Sequence, residues 1–142
     1  MKRKPLLIII GAFVLALAIT LITTDQSKAP LAKHIENQTN YTVYDCIDEN
    51  GEVDVVIAFQ DEKEQELYSQ YCARIVLDAI RHFPRQAEDM PKEVTIRLYN
   101  KSTKQVVLRI SVKGERFLET SWGTLMEDQM PSNVDYYYFY NT

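Results

Sequence analysis

A long uncharged apolar run near the N-terminus constrains this chain more than any other feature of its sequence. Leu6 to Ile22 contains seventeen residues without a charge, and the basic segment of residues 1–5 precedes it. A helix rises about 1.5 Å per residue, so this run reaches the short end of the length that spans a bilayer. Lysine and arginine before the run favour a cytoplasmic N-terminus. The sequence therefore predicts a signal-anchor over residues 1–24 of a single-pass cell-membrane protein, with the rest of the chain extracytoplasmic.

A cleaved signal peptide is the alternative interpretation of this segment. Such peptides have a shorter apolar core, of about 7–15 residues, before a small-x-small cleavage site in a polar stretch. Ala16–Ala18 satisfies the small-residue rule but lies within the apolar run, and Ser27–Ala29 is followed directly by Pro30. The length of the run favours the anchor. Both interpretations export the rest of the chain.

The part of the chain that follows the anchor is acidic. Lys2, Arg3 and Lys4 are three of the 16 basic residues, which leaves 13 basic against 20 acidic residues and a net charge of −7 after residue 24. Nucleic-acid binding depends on clustered lysine and arginine that displace counterions, and anionic lipid headgroups attract the same residues. The charge balance argues against a nucleic-acid partner and favours a neutral or basic protein in the envelope.

Residues 25–40 separate the anchor from the predicted domain. They are polar, contain Pro30 and show no sustained periodicity, so we expect a tether between bilayer and domain. His34 is interpreted as a solvated linker residue. An extracytoplasmic domain is predicted over residues 41–142.

Two β-rich runs flank Asn50-Gly51 and predict a hairpin. This dipeptide is the strongest short hairpin signal, because both turn positions need positive φ. Used as the turn, it sets Cys46 opposite Val55 and Tyr44 opposite Ile57. Since side chains alternate between the two faces of a strand, the face predicted to enter the core consists of Tyr44, Cys46, Val53, Val55, Ile57 and Phe59.

A long amphipathic helix is predicted from Asp61 to Phe83. Asp61 and Glu64 fit a capping box at its start, and Pro84 ends it. Its apolar positions repeat at three-and-four spacing, as in a helix that packs on a sheet. We expect this stripe to cover the hairpin with Tyr68, Tyr71, Cys72, Ile75, Val76, Ala79, Ile80 and Phe83.

A second hairpin and a C-terminal strand complete the predicted domain. Residues 94–99 and 106–113 alternate between apolar and polar, and Arg109 lies on the polar face. A short helix is expected at 120–130 and a strand at 134–140. The predicted fold class is α+β, with a mostly antiparallel sheet in the order ββ-α-ββ-(α)-β packed on one long helix.

Cys46 and Cys72, the two cysteines of the chain, are predicted to face one interface between the hairpin and the helix. Disulfides persist in extracytoplasmic compartments. A bridge that closes about 26 residues adds roughly 3 kcal/mol in the chain-entropy model. The alternative is a pair of buried free thiols, which pack as small apolar side chains. We favour the disulfide.

No catalytic, cofactor-binding or metal-ligating constellation is recognisable in the sequence. The acidic cluster around the first turn fails the EF-hand pattern, because Cys46 would be the first ligand and Ile57 the last. His34 and His82 lie in a linker and at a helix end, apart from any nucleophile motif. With four glycines in the chain, glycine-built ligand loops are nearly excluded. These observations argue against an enzyme, and no cofactor is expected.

Aromatic and methionine side chains near the C-terminus are the candidate interaction residues. The final strand is aromatic on both faces, so one set can pack in the core while the other stacks on sugar rings or anchors a protein interface. Methionine-rich surfaces also bind adaptable partners. Burial in the core is the favoured alternative for both sets. The candidates are Trp122, Met126, Met130, Tyr136, Tyr138 and Tyr140.

By elimination, the sequence predicts a non-catalytic, membrane-anchored interaction module of a bacterial envelope assembly. One alternative is an exported inhibitor or immunity protein whose acidic surface complements a basic toxin. Another is a cell-wall glycan-binding domain that uses Tyr136–Tyr140. Ala12, Ala16 and Thr20 place a small residue at every fourth position of the anchor, which permits self-association.

Overall fold

The computed structural model describes residues 28–59 and 66–140. The predicted anchor and the predicted capping box fall outside these ranges. None of the helices within them is long and apolar enough to cross a membrane. The helices are α1 (Pro30–Thr39), α2 (Glu66–Arg81) and α3 (Gly114–Glu119), the strands are β1 (Thr42–Glu49), β2 (Glu52–Phe59), β3 (Glu93–Asn100), β4 (Gln105–Lys113) and β5 (Tyr136–Phe139), and short 3-10 helices lie at Ala87–Asp89 and Glu127–Gln129.

The five strands form one mixed sheet in the order β1-β2-β3-β4-β5. Three of the four neighbouring pairs are antiparallel, and β2 and β3 run parallel. Parallel neighbours need a crossover connection, and the chain through α2 makes it between the two hairpins. The α+β class is therefore confirmed, and the sheet is mixed.

Both predicted hairpins are present. The first turns at Asn50-Gly51, where φ is 54° and 81° at the two residues. Cys46 lies opposite Val55, as predicted. The second hairpin joins β3 and β4 through residues 101–104. The hydrophobic alternation of these four strands was sufficient to locate them.

A β-bulge in β1 changes the predicted core face. The register shifts between Val43 and Asp45, so that Val43 lies opposite Ile57 and is buried. The prediction placed Tyr44 at that position and is wrong there. Tyr44 lies on the other face of the sheet and is 62% exposed, because an extra residue on one strand exchanges the faces of the residues beyond it.

The segment predicted as a tether contains a helix that belongs to the domain. α1 begins with Pro30 in its first turn and ends at Asn40, whose φ is 63°. Leu31 and Ile35, one helical turn apart, are completely buried in the main core. The expectation of a tether is therefore wrong for Pro30–Thr39, because this short apolar stripe packs in the core, and residues 25–27 lie outside the described ranges.

α1 and α2 pack side by side on the core. His34 hydrogen-bonds the carbonyl oxygen of Ala79 at 3.0 Å and meets the ring of Phe83 edge-on at 5.2 Å. It is therefore a packed residue, not the solvated histidine that we predicted. Tyr68 and Tyr71 of the predicted stripe are exposed, since α2 packs on α1 as well as on the sheet. The buried residues of α2 are Ser69, Gln70, Cys72, Ala73, Val76, Leu77, Ala79 and Ile80.

The segment between α3 and β5 packs back on α2. The helix predicted at 120–130 is a series of turns with one short 3-10 helix. Trp122 and Met130 are completely buried, and the Trp122 indole N–H donates to the carbonyl oxygen of Phe117 at 2.9 Å. Arg74 donates to the carbonyl oxygen of Trp122 at 3.1 Å. Aromatic burial and backbone capping therefore hold this segment in place without a regular helix.

Candidate functional site

One face of the sheet enters the core, and the helices of the described ranges leave the other face open. Along each strand the buried residues alternate with residues of this second surface. We call it the open face. It is defined by the tyrosines Tyr44, Tyr99, Tyr136, Tyr138 and Tyr140 and the arginines Arg97 and Arg109.

Tyr44 and Tyr99 form an aromatic pair at one end of the open face. Their ring centroids lie 5.2 Å apart, although β2 separates their strands. Ala58 of β2 lies opposite Tyr99, and its small side chain leaves room for the two rings to meet above it. The bulge in β1 is what brings Tyr44 to this face. Such rings combine an apolar body with a polar hydroxyl, as residues at protein interfaces do.

A polar row crosses the centre of the open face. Arg97 of β3 forms an ion pair with Asp54 of β2. Beside it, the hydroxyls of Thr95 and Ser111 hydrogen-bond at 2.9 Å and are buried. The charges of Arg97 and Asp54 compensate each other, so the centre of the face is close to neutral.

Arg109 lies among the tyrosines at the β5 end of the open face. Its guanidinium is 5.6 Å from the ring centroid of Tyr136, and Tyr138 lies directly opposite it on β5. The rings of Tyr138 and Tyr140 meet edge-on with centroids 4.4 Å apart. Within residues 28–59 and 66–140, no carboxylate forms an ion pair with Arg109. Among the described residues, this end of the face therefore presents a cation without an ion pair, next to exposed phenol rings.

The structure divides the six predicted interaction residues into three groups. Trp122 and Met130 are completely buried, which agrees with the favoured alternative that they pack in the core, and no partner can reach them. Met126 is exposed but belongs to the segment that packs on α2. The three tyrosines are 40% to 49% exposed on the open face, namely Tyr136, Tyr138 and Tyr140.

Cys46 and Cys72 are free thiols, so the predicted disulfide is not formed in the structure. Cys72 hydrogen-bonds Tyr41, just before β1. Cys46 lies five residues further along the chain, in β1, and is half-buried.

Both thiols hold their protons at neutral pH. Burial raises the pKa of Cys72 to about 12. Burial, followed by the nearby carboxylates of Asp48 and Asp45, raises the pKa of Cys46 to about 11. Because the thiolate is the nucleophilic form, neither cysteine is activated for catalysis.

The acidic first turn is partly neutralised by a neighbouring loop. Arg85 donates to both carboxylate oxygens of Asp48, at 2.9 and 3.0 Å, and its guanidinium lies 5.1 Å from the ring centroid of Phe83. A groove of about 740 Å³ separates the turn from this loop. In the part of the chain that the structure describes, no three His, Cys, Asp or Glu side chains are arranged to hold a metal ion.

Sequence reasoning missed Tyr44 and Tyr99 as residues of the site. Tyr99 could have been found, because it alternates with the buried Leu98 on a one-sided strand. Tyr44 could not have been found, since no residue pattern near it in the sequence predicts the bulge. No protein-family model, curated protein or solved structure matches this chain.

Proposed function

We propose that this chain is a non-catalytic, membrane-anchored interaction module that acts outside the cytoplasm and binds a protein partner through its open face. The observation that carries the proposal is the position of Arg109 among exposed tyrosines, where it forms no ion pair with a carboxylate of the described residues. Tyrosine and arginine are the residues most enriched at the energetic centres of protein interfaces. Exposed aromatic patches of this kind on a folded domain favour a binding role.

The charge of the open face defines the chemistry of the partner. A carboxylate of the partner, placed between Tyr136 and Tyr138, would pair with Arg109 in a site that the rings shield from water. The rest of the partner's surface is neutral or basic, because the exported part of this chain carries a net charge of −7. We therefore expect a protein with one acidic anchor residue in an otherwise uncharged contact surface.

The polar side chains that catalysis would need have structural partners. His34 and His82 each hydrogen-bond a backbone carbonyl oxygen, at 3.0 and 2.8 Å. Burial raises the pKa of both thiols, to about 11 at Cys46 and about 12 at Cys72, so both are protonated at neutral pH. These observations support binding over catalysis.

A photo-crosslinking amino acid at Tyr44 or Tyr136 of the full-length chain, in intact membranes, tests the proposal. Both positions are expected to give the same discrete adduct with a protein other than this chain. Tyr68 of α2 is the matched control, because it is a similarly exposed tyrosine away from the open face. Equal adducts from all three positions, or none from the open face, would contradict the proposal.

The substitution Arg109→Ala tests whether the partner binds through this cation. We expect it to reduce the yield of the adduct at Tyr136 at least tenfold, since truncation of a hot-spot arginine costs about 2 kcal/mol or more. Lys104→Ala removes a cation from the exposed turn between β3 and β4 and serves as the control. An unchanged adduct in Arg109→Ala would mean that the partner does not use this cation.

Glycan binding is the second candidate, and the exposed rings of β5 favour it. Tyr136, Tyr138 and Tyr140 offer aromatic surface on which pyranose rings can stack. Sedimentation of the protein with insoluble cell-wall glycan, compared with a Tyr136→Ala/Tyr138→Ala variant, distinguishes the two candidates. Binding that the double substitution abolishes, with no protein adduct from Tyr44, would replace the first proposal by the second.

A further inference from the structure

The sheet has two edges, and only one of them carries the features that normally prevent pairing with another strand. β1 has a bulge and the acidic residues Asp45, Asp48 and Glu49. Bulges and charges of this kind are how natural sheets protect their edges. β5 pairs with β4 without a shift in register, and Tyr136–Phe139 contains no charge and no proline. The β5 edge is therefore open to strand addition.

The hydrogen bonds to β4 define which backbone groups of β5 point outward. The N–H of Tyr140 donates to the carbonyl oxygen of Val107 at 2.8 Å. In an antiparallel pair these inward positions alternate, so Tyr138 also faces β4. The N–H and C=O groups of Tyr137 and Phe139 then point away from the sheet. Within residues 28–59 and 66–140, no backbone group pairs with them.

We propose that β5 pairs antiparallel with β5 of a second copy of this chain, about a two-fold axis at Tyr138. In this register Tyr137 of one copy is hydrogen-bonded to Phe139 of the other, which satisfies the outward groups of both residues in both copies. The two Tyr138 residues face each other at the non-hydrogen-bonded position. The interface is isologous, as two-fold dimers require, and it extends the sheet to ten strands.

Charge and side-chain faces favour a second copy over an unrelated strand. The exported part carries a net charge of −7, so two copies repel each other wherever acidic surfaces meet, but β5 is uncharged. The same register places Tyr136 opposite Tyr140 of the second copy, so tyrosines of the two open faces meet only tyrosines. Cross-strand aromatic pairs stabilise a sheet by about 0.2–1 kcal/mol each.

Confinement to a membrane compensates for the small size of this interface. A four-residue edge buries little surface, and such a contact between free proteins is weak. Two chains held by their anchors in one bilayer meet at a much higher effective concentration. The dimer is therefore a property of the full-length chain in its membrane. It can be tested apart from the proposed partner through Tyr44, because the paired edge includes Tyr136, Tyr138 and Tyr140 of the open face but not Tyr44.

Cysteine crosslinking of the full-length chain in membranes tests the register. Cα atoms of a non-hydrogen-bonded antiparallel pair lie about 4.5 Å apart, within the range of a disulfide. Tyr138→Cys is expected to give a disulfide-linked dimer under mild oxidation. Tyr136→Cys is the matched control, because its two copies would lie roughly 14 Å apart along the strands. The unsubstituted chain, with half-buried Cys46 and buried Cys72, gives the baseline.

The outcome separates a specific dimer from chance encounters. Equal crosslinking of Tyr136→Cys and Tyr138→Cys, or no dimer from Tyr138→Cys, overturns the proposal. A second pair of variants tests it without a disulfide, by co-purification of two differently tagged full-length copies. Tyr138→Lys places two ammonium groups at the two-fold axis and is expected to lower co-purification at least tenfold, whereas Tyr68→Lys, at an exposed tyrosine of α2, leaves it unchanged. Unchanged co-purification of Tyr138→Lys also overturns the proposal, and the adduct from Tyr44 remains a separate result.

Discussion

The two thiols provide a test of the structure at the scale of single residues. A raised pKa means less thiolate at a given pH, so both cysteines should react with iodoacetamide more slowly than a free thiol at pH 8. Below its pKa of about 11, the labelling rate of Cys46 should rise about tenfold per pH unit. Cys72, with a pKa of about 12, should react more slowly than Cys46 at every pH.

Mass spectrometry of the labelled chain measures both rates. The variants Cys46→Ser and Cys72→Ser, each with one thiol, are the controls that assign them. A native chain that takes up no label until it is reduced would show that the two cysteines are bridged, against the structure.

Gly51 is the position in the first hairpin where an added side chain would have the largest effect. Its φ of +81° is strained for residues with a Cβ, and an added Cβ would lie 2.9 Å from Cγ of Lys92. We expect Gly51→Ala to reduce the free energy of unfolding by about 1–2 kcal/mol. Asn50→Gly, at a φ of 54°, should be nearly neutral. Thermal unfolding followed by circular dichroism compares the two, and equal effects would contradict the turn geometry.

The misplacement of Tyr44 shows what residue patterns cannot supply. Alternation placed it in the core, and its own hydrophobic character agrees with that position. The bulge that moves it depends on how β1 fits under α1 and beside β2, which is tertiary information. The turn at Asn50-Gly51, by contrast, follows from local backbone preferences and was predicted correctly.

At the scale of the elements, α1 contributes completely buried residues to the core, although the sequence pattern that marks this helix is weak. Ile35 is completely buried, so Ile35→Ala should reduce the free energy of unfolding by about 2–5 kcal/mol. Lys33→Ala, on the exposed side of the same helix, should change it by less than about 0.5 kcal/mol. Chemical denaturation of both variants measures the difference. If residues 30–39 were only a tether, the two substitutions would have equal and small effects.

The signals that locate an element differ in strength across this fold. α2 and the four strands of the hairpins repeat their apolar residues over several periods, and they were predicted. α1 has ten residues and no side-chain cap at Ala29, so only Pro30 and the pair Leu31 and Ile35 mark it. The parallel pairing of β2 and β3 was accessible in principle, because a strand, a helix and a strand in sequence commonly form such a unit.

At the scale of the whole molecule, the proposed membrane topology rests on the apolar run and its basic flank. A periplasmic-type phosphatase fused after Thr142 is expected to be active, and a fluorescent protein that matures only in the cytosol should stay dark at the same position. Inversion of residues 2–4 to acidic residues should weaken this preference. Activity of the cytosolic reporter alone would overturn the export of the domain and, with it, the proposed extracytoplasmic role.

The beginning of α1 at Pro30 limits how far the domain can stand from the lipid. If Leu6 to Ile22 spans the bilayer as predicted, seven residues separate it from the first folded turn. At no more than about 3.6 Å per residue, they extend about 25 Å at most. The proposed binding surface therefore stays within a thin layer next to the membrane. Its partner must itself be a membrane protein, or must approach the membrane surface in order to bind.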